Sequence, residues 1–198
     1  MTKAVLVEVG DENLIIIFNR PEIRSPLSVF VLEELSEILD ENASDANLKK
    51  IIFTGVGDVF ASGADLREIA NVAKNSAREF AARGQNLMNK IAAARPLTIA
   101  AVNGFCFGGA LDLALACDKR IAAPDAIFSH PGANLGIITG WGGTQRLPRL
   151  VGERAALEIF LTAKRIDANE ARRIGLVDEI AENPLEFSLA NFHAENSS

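Results

Sequence analysis

The stretch of this chain best equipped for chemistry runs Asn103-Gly104-Phe105-Cys106-Phe107-Gly108-Gly109-Ala110-Leu111-Asp112 and on through Leu113-Ala114-Leu115-Ala116-Cys117-Asp118. Gly108-Gly109 places bare backbone at the start of an alanine- and leucine-rich helix. There the amide N–H groups have no partner within the helix, no side chain obstructs their approach to a ligand, and the helix dipole adds positive potential. Such an end can hold an anion or a developing oxyanion. Asp112 follows Gly109 by three residues and falls on the same helical face, about one turn further in. The pattern offers an oxyanion-type donor with an acid beside it. It equally suits a glycine turn for close strand–helix packing, with Asp112 an ordinary carboxylate on the helix surface. A second glycine turn, Ser62-Gly63-Ala64-Asp65, also follows an apolar strand and opens a helix, with Asp65 at the favoured acidic start. Two such turns can aim two backbone N–H groups at one carbonyl oxygen, the geometry an oxyanion hole needs.

These turns need strands to deliver them. Leu97 to Val102, after Pro96, delivers the central turn; Lys50 to Thr54 delivers the other. Upstream, Val5–Val9 and Leu14–Phe18 flank Gly10-Asp11-Glu12-Asn13 and read as a β-hairpin. Asn19-Arg20-Pro21 ends it, since proline cannot extend a ladder. Ser28 is a candidate N-cap for a helix whose apolar stripe is Phe30-Val31, Leu35 and Ile38-Leu39. Residues 65 to 94 read as largely helical, with a break from Asn71 to Ser76 and Met88 in the core. Lys119–Ala123 and Ala126–Ser129 are short strands; Glu153–Ala163 and Asn169–Ile174 are short helices. Strands alternating with helices indicate an α/β fold.

The 198 residues suit one domain with a sizeable core. Although 48% of them are apolar, no uninterrupted apolar run reaches the roughly 20 residues of a membrane span. Met1-Thr2-Lys3-Ala4-Val5 enters a strand at once, without a signal or transit pattern, so a cytoplasmic protein is expected. The net charge of -6 argues against a broad nucleic-acid surface. Cys106 and Cys117 have no metal-type spacing and read as reduced core residues, so no metal site is expected. There is no tyrosine to act as a phenolic acid or base.

The ordered set of motifs resembles the crotonase (enoyl-CoA hydratase/isomerase) superfamily. It comprises Asn19-Arg20-Pro21, Phe60-Ala61-Ser62-Gly63-Ala64-Asp65-Leu66, Ala100-Ala101-Val102-Asn103-Gly104 through Gly108-Gly109, Leu135-Gly136-Ile137-Ile138 through Gly142-Gly143-Thr144-Gln145-Arg146-Leu147, and Ala171-Arg172-Arg173-Ile174-Gly175-Leu176-Val177-Asp178. The resemblance spans roughly residues 3 to 181. It implies an α/β, crotonase-like ββα spiral with helices packed around the sheets. It also implies a core domain over 1–182, with 183–198 forming a short C-terminal helix and polar tail where relatives usually continue through several more helices. The implied substrate is an acyl-CoA, with coenzyme A arriving as part of it and no metal or redox cofactor. The implied assembly is a homotrimer or dimer of trimers, without nucleic acid or membrane. Ala64 and Gly109 would supply the oxyanion hole and Asp112 the acid/base. Arg24 would touch the coenzyme A moiety; Ser62, Asp65, Leu66, Gly108, Gly132 and Trp141 would complete the acyl-CoA site.

This sequence also departs from the family pattern. Hydratases carry a second catalytic glutamate where this chain has Gly132, and a first glutamate where it has the shorter Asp112. His130 is the local candidate for a replacement proton carrier; in an extended segment it would share a face with Gly132. His193 has less support. Trp141 stands where many relatives have a small residue, and either narrows the acyl pocket or packs under the glycine turn. One acid suits double-bond isomerisation better than hydration. Decarboxylation, which needs the oxyanion hole more than a base, and acyl-CoA binding with little turnover are the alternatives.

Overall fold

The computed structural model describes residues 3–192, so His193 and the end of the polar tail lie outside the described residues. In chain order the elements begin with β1 (Val5–Val9), β2 (Asn13–Phe18), β3 (Pro26–Leu27), α1 (Val29–Asn42), β4 (Lys50–Gly55), β5 (Val59–Ala61) and β6 (Gly63–Ala64). Then come α2 (Leu66–Ala70), α3 (Ala77–Ala92), β7 (Leu97–Val102), β8 (Phe105–Phe107), α4 (Gly109–Ala116), β9 (Lys119–Ala122) and β10 (Ile127–Ser129). The remainder is α5 (Gly132–Leu135), α6 (Gly143–Val151), α7 (Glu153–Thr162), β11 (Ile166–Asp167), α8 (Ala168–Arg173), β12 (Glu179–Ile180) and α9 (Pro184–Ala190).

The largest sheet has the order β1-β2-β4-β7-β9-β12, antiparallel only at the β1–β2 hairpin. A second sheet runs β11-β10-β8-β5, and β3 pairs with β6. The central strands are buried on both faces, as parallel strands with covered faces must be. Their residues alternate accordingly. Ile51, Phe53, Ala100, Val102 and Ala122 enter the main core with α1, α3 and α4, while Ile52, Ile99, Ala101 and Ile121 form a second core beneath α9. Ser28 caps α1 by accepting from the Val31 N–H, and the chain breaks between α2 and α3 as the sequence indicates. Each glycine motif inserts a short strand before its helix, β6 in one case and β8 in the other, which the sequence reading folded into the turn.

Lys50, on β4, fastens α9 to the sheet. Its buried ammonium donates to the carbonyls of Ser188 (3.2 Å), Leu189 (2.8 Å) and Asn191 (2.7 Å). These are groups that a helix C-terminus leaves without partners, and a cation there also suits the dipole. Burial lowers the Lys50 pKa, with Glu12 opposing the shift. We expect Lys50→Met to destabilise the protein by about 2–3 kcal/mol, the scale of hydrogen bonds to a charged group plus carbonyls left unpaired. Urea denaturation measures the loss, and amide exchange should show it first in α9.

Candidate functional site

Two turns meet because glycines let their backbones touch. Gly63 has φ +85, and a Cβ there would lie 2.5 Å from the Phe107 carbonyl oxygen and 2.6 Å from the Gly109 nitrogen. The β5–β6 turn therefore rests directly on the N-terminus of α4. Gly108 takes φ 54 and ψ -121 as the N-cap, a conformation that favours glycine, while its N–H donates to the Ser129 carbonyl at 2.9 Å. Gly109 opens the helix, so its N–H has no intrahelical acceptor. Asn103 staples the two layers upstream. Its Oδ1 accepts from the Gly55 N–H at 2.9 Å, and its Nδ2 donates to the carbonyls of Gly57 (2.8 Å) and Val59 (3.2 Å).

Above this junction lies a cavity of about 320 Å3, bordered by Ser62, Ala64, Leu66, Gly108, Gly109, Asp112, His130, Gly132 and Trp141 among others. Ile69, Val72, Phe80, Ile137 and Ile138 give it an apolar wall. Asp112 is 0% exposed; it is no helix-surface carboxylate. Thr139 donates its hydroxyl to Oδ2. Oδ1 makes no hydrogen bond and faces the His130 Nε2, equally unpartnered, at 3.4 Å. Burial pushes the Asp112 pKa from 3.8 up to about 7, against the opposing influence of the Thr139 hydroxyl, the Arg146 charge and the Trp141 N–H. Burial takes His130 the other way, from 6.5 down to about 4. The contact thus joins two neutral groups between those values rather than an ion pair.

Residues 11–187 match the family model described as enoyl-CoA hydratase/isomerase. The chain belongs to the enoyl-CoA hydratase/isomerase family. It is 41% identical over 179 residues to the crotonyl-CoA hydratase of Syntrophomonas wolfei, covering 90% of this chain and 69% of that protein. It is 37% identical over 179 residues to the short-chain-enoyl-CoA hydratase of Clostridium acetobutylicum, with the same two coverages, 90% and 69%. Among solved structures it resembles the enoyl-CoA hydratase of Bacillus anthracis, with a TM-score of 0.88 and 37% identity over 95% of this chain and 74% of that one. The enoyl-CoA hydratase of Thermoplasma volcanium gives a TM-score of 0.90 at 30% identity, over 96% of this chain and 76% of that one. The α/β crotonase fold is therefore shared.

Within this enoyl-CoA hydratase/isomerase family member, most of the residues singled out in the sequence border one cavity; Arg24 and Asp65 are placed apart from it. Arg24 is exposed in a left-handed turn, its guanidinium 5.6 Å from the centre of the Phe105 ring. Its neighbour Ser25 accepts from the Ser62 N–H at 3.4 Å, which keeps that turn beside the cavity edge. Asp65 caps α2, accepting from the Arg67 N–H at 2.9 Å and pairing with the Arg67 guanidinium at 2.6 Å. Those hydrogen bonds hold its carboxyl below the usual range.

One expectation needs correction. His130 and Gly132 do not share an extended segment, because β10 ends at Ser129 and Gly132 starts the helical turn α5. A Cβ on Gly132 would sit 2.5 Å from the Ile137 carbonyl oxygen, so the loop has closed over the place where a side chain would begin. Trp141 both borders the cavity and packs under the glycine turn. Its ring lies where a Cβ on Gly109 or Gly84 would be, 2.2 Å from each. The sequence reading missed Thr139, whose hydroxyl is meaningful only once the loop is folded against α4, and Gly84, whose spacing in α3 carries no mark of a partner at position 141.

The titrations of Asp112 and His130 have a testable consequence for stability. Between about pH 4 and 6.5 the folded pair holds one proton on Asp112, and the unfolded pair holds one on His130, so the pair adds no pH dependence. Asp112→Asn leaves His130 alone with a depressed folded pKa. The unfolded state then binds more protons, and stability should rise from about pH 4 to 6.5. His130→Gln leaves Asp112 alone with a raised folded pKa, and stability should fall as pH rises from about 4 to 7. Each slope approaches about 1.4 kcal/mol per pH unit. Urea titrations of both variants across this range measure them.

Proposed function

We propose that this protein is an acyl-CoA enzyme that stabilises a thioester enolate between the Ala64 and Gly109 N–H groups, with Asp112 as the acid/base. The observation that supports the reading is the close backbone approach of Gly63 to Gly109, with Ala64, Gly109 and Asp112 all bordering one cavity. A hole of this kind contributes by holding charge where it develops, and the loss of one donor costs about 3–4 kcal/mol in comparable sites.

Among the described residues lining the cavity, Asp112 is the one carboxylate. That number suits the shift of a double bond. Asp112 in its ionised form, the form it takes above about pH 7, accepts a proton from the carbon next to the double bond, the C–H electron pair moves into the conjugated enolate, and the same carboxyl returns the proton to another carbon of that system. No water, metal or redox cofactor enters this step, and coenzyme A is part of the substrate. The relatives' names, crotonyl-CoA and short-chain-enoyl-CoA hydratase, and a cavity at the small end of ligand pockets favour short acyl groups. His130 is the candidate second proton carrier should hydration occur. The complete burial of Asp112 favours a second reading, an acyl-CoA-binding protein with little turnover.

Incubation with a short 2-enoyl-CoA, a 3-enoyl-CoA and a malonyl-type CoA in heavy-oxygen water, followed by mass spectrometry, separates these chemistries. We expect a shifted double bond without oxygen incorporation, lost at least 100-fold in Asp112→Asn while acyl-CoA binding is kept. Oxygen in the product would establish hydration, loss of carbon dioxide would establish decarboxylation, and binding without conversion would favour the second reading.

The setting we propose is the cytoplasmic acyl-CoA pool. No helix among the described residues is long and apolar enough to cross a membrane. The exposed leucines Leu150, Leu157 and Leu161 along α6 and α7 give the molecule an apolar surface that association would cover. We expect sedimentation at micromolar concentration to give the mass of a trimer or of a dimer of trimers; a clean monomer would contradict the proposed assembly.

A further inference from the structure

Asp112 has two oxygens in different surroundings. Oδ2 accepts the Thr139 hydroxyl. Oδ1 has no hydrogen-bond partner, faces the unpartnered His130 Nε2 at 3.4 Å and lies against Gly143, where a Cβ would be 2.0 Å away. A carboxyl oxygen that accepts a hydroxyl proton is a poor place for its own proton. The vacant oxygen therefore takes it.

The loop that presents Thr139 is itself fixed. Gln85 on α3 donates to the Gly140 carbonyl at 2.7 Å, and Arg146 on α6 donates to the Trp141 carbonyl at 3.3 Å. The Thr139 methyl closes on Gly143, where a Cβ would lie 2.9 Å from Cγ2, and a β-branched side chain has few rotamers to begin with. The hydroxyl is thus held on Oδ2 by a loop tied to two helices.

We propose that Thr139 is a positioning residue for proton transfer: it occupies Oδ2 of Asp112 and so assigns the travelling proton to Oδ1, on the side of His130. This rests on the reading of Asp112 as the acid/base. The charged or titratable groups around that carboxyl are Arg146 from α6, His130 after β10 and Cys106 on β8. Replacing Thr139 leaves all three in place. In the exchange reaction the proton passes from C2 of the thioester to Oδ1 of the ionised carboxyl, the C–H pair enters the enolate, the proton on Oδ1 exchanges for a solvent deuteron, and that deuteron passes to C2 as the carboxylate is regenerated.

Two readouts test the proposal in the full chain. One is the Asp112 carboxyl titration, followed by carbon NMR of aspartate-labelled protein and assigned by its absence in Asp112→Asn. The other is deuterium exchange at C2 of butyryl-CoA. In Thr139→Val we expect Asp112 to titrate about one pKa unit higher, a tenfold change in its proton affinity. Exchange should fall about tenfold in kcat with KM within twofold. Thr139→Ser should restore both, and Thr139→Ala should repeat the valine result if valine disturbs folding. An unmoved titration, or a moved titration with undiminished exchange, overturns the positioning role. Absence of exchange in the unaltered protein with butyryl-CoA bound overturns the acid/base reading of Asp112, and this proposal falls with it.

Discussion

The site depends on backbone touching backbone. Gly63 and Gly109 stand where any side chain on Gly63 would displace the Phe107 carbonyl or the Gly109 nitrogen. The same demand recurs one layer back. A Cβ on Gly104 would be 1.9 Å from the Asp58 carbonyl oxygen, and one on Gly55 would be 2.0 Å from that of Val59. These contacts hold two successive strand–turn–helix units at a spacing that packing of side chains could not reach. Asn103 meets the cost of bringing so many peptide groups together by pairing with three of them. Burial of the parallel strands on both faces then keeps the units in register.

A second compensation follows from this glycine content. Glycines at 84 and 109 leave volume between α3 and α4, and a close-packed interior does not leave such volume empty. Trp141 fills it, touching both positions, with Phe80 at 6.3 Å between ring centres. One indole thereby locks the helix that carries Asp112 to the helix that walls the cavity. The two readings of Trp141 offered by the sequence, pocket wall and packing under the turn, describe two sides of the same ring.

What was legible in the sequence was local. The glycine turns, the capping by Ser28, the break between α2 and α3, and the strands before each turn follow from short-range residue patterns, and the structure carries them where the patterns place them. Asp112 was legible as a residue but not as an environment. Its burial comes from Gly143, Thr139 and His130, which lie 18 to 31 positions further along the chain. Lys50 reads as the polar start of a buried strand, yet it serves the carbonyls of a helix 138 or more positions away. The helical turn at Gly132 was misread because a histidine and a proline after an apolar strand look extended; the turn forms where the Ile137 N–H donates back to the Gly132 carbonyl at 3.0 Å.

That same hydrogen bond bears on the chemistry. With Ile137 folded onto Gly132, the loop leaves no room for a side chain at 132, so restoring a glutamate there would require the loop to open as well as the residue to change. The departure from the two-acid pattern is therefore built into the backbone and is not a matter of one missing side chain. Burial completes the arrangement. In a buried site two ionised groups are costly, and between about pH 4 and 7 Asp112 and His130 avoid that cost by being neutral together. On the reading proposed above, one carboxyl beside a neutral imidazole, its orientation fixed by a hydroxyl, moves a single proton between carbons once it is ionised. Addition of a water asks for more, a proton acceptor and a proton donor acting in concert on the molecule being added.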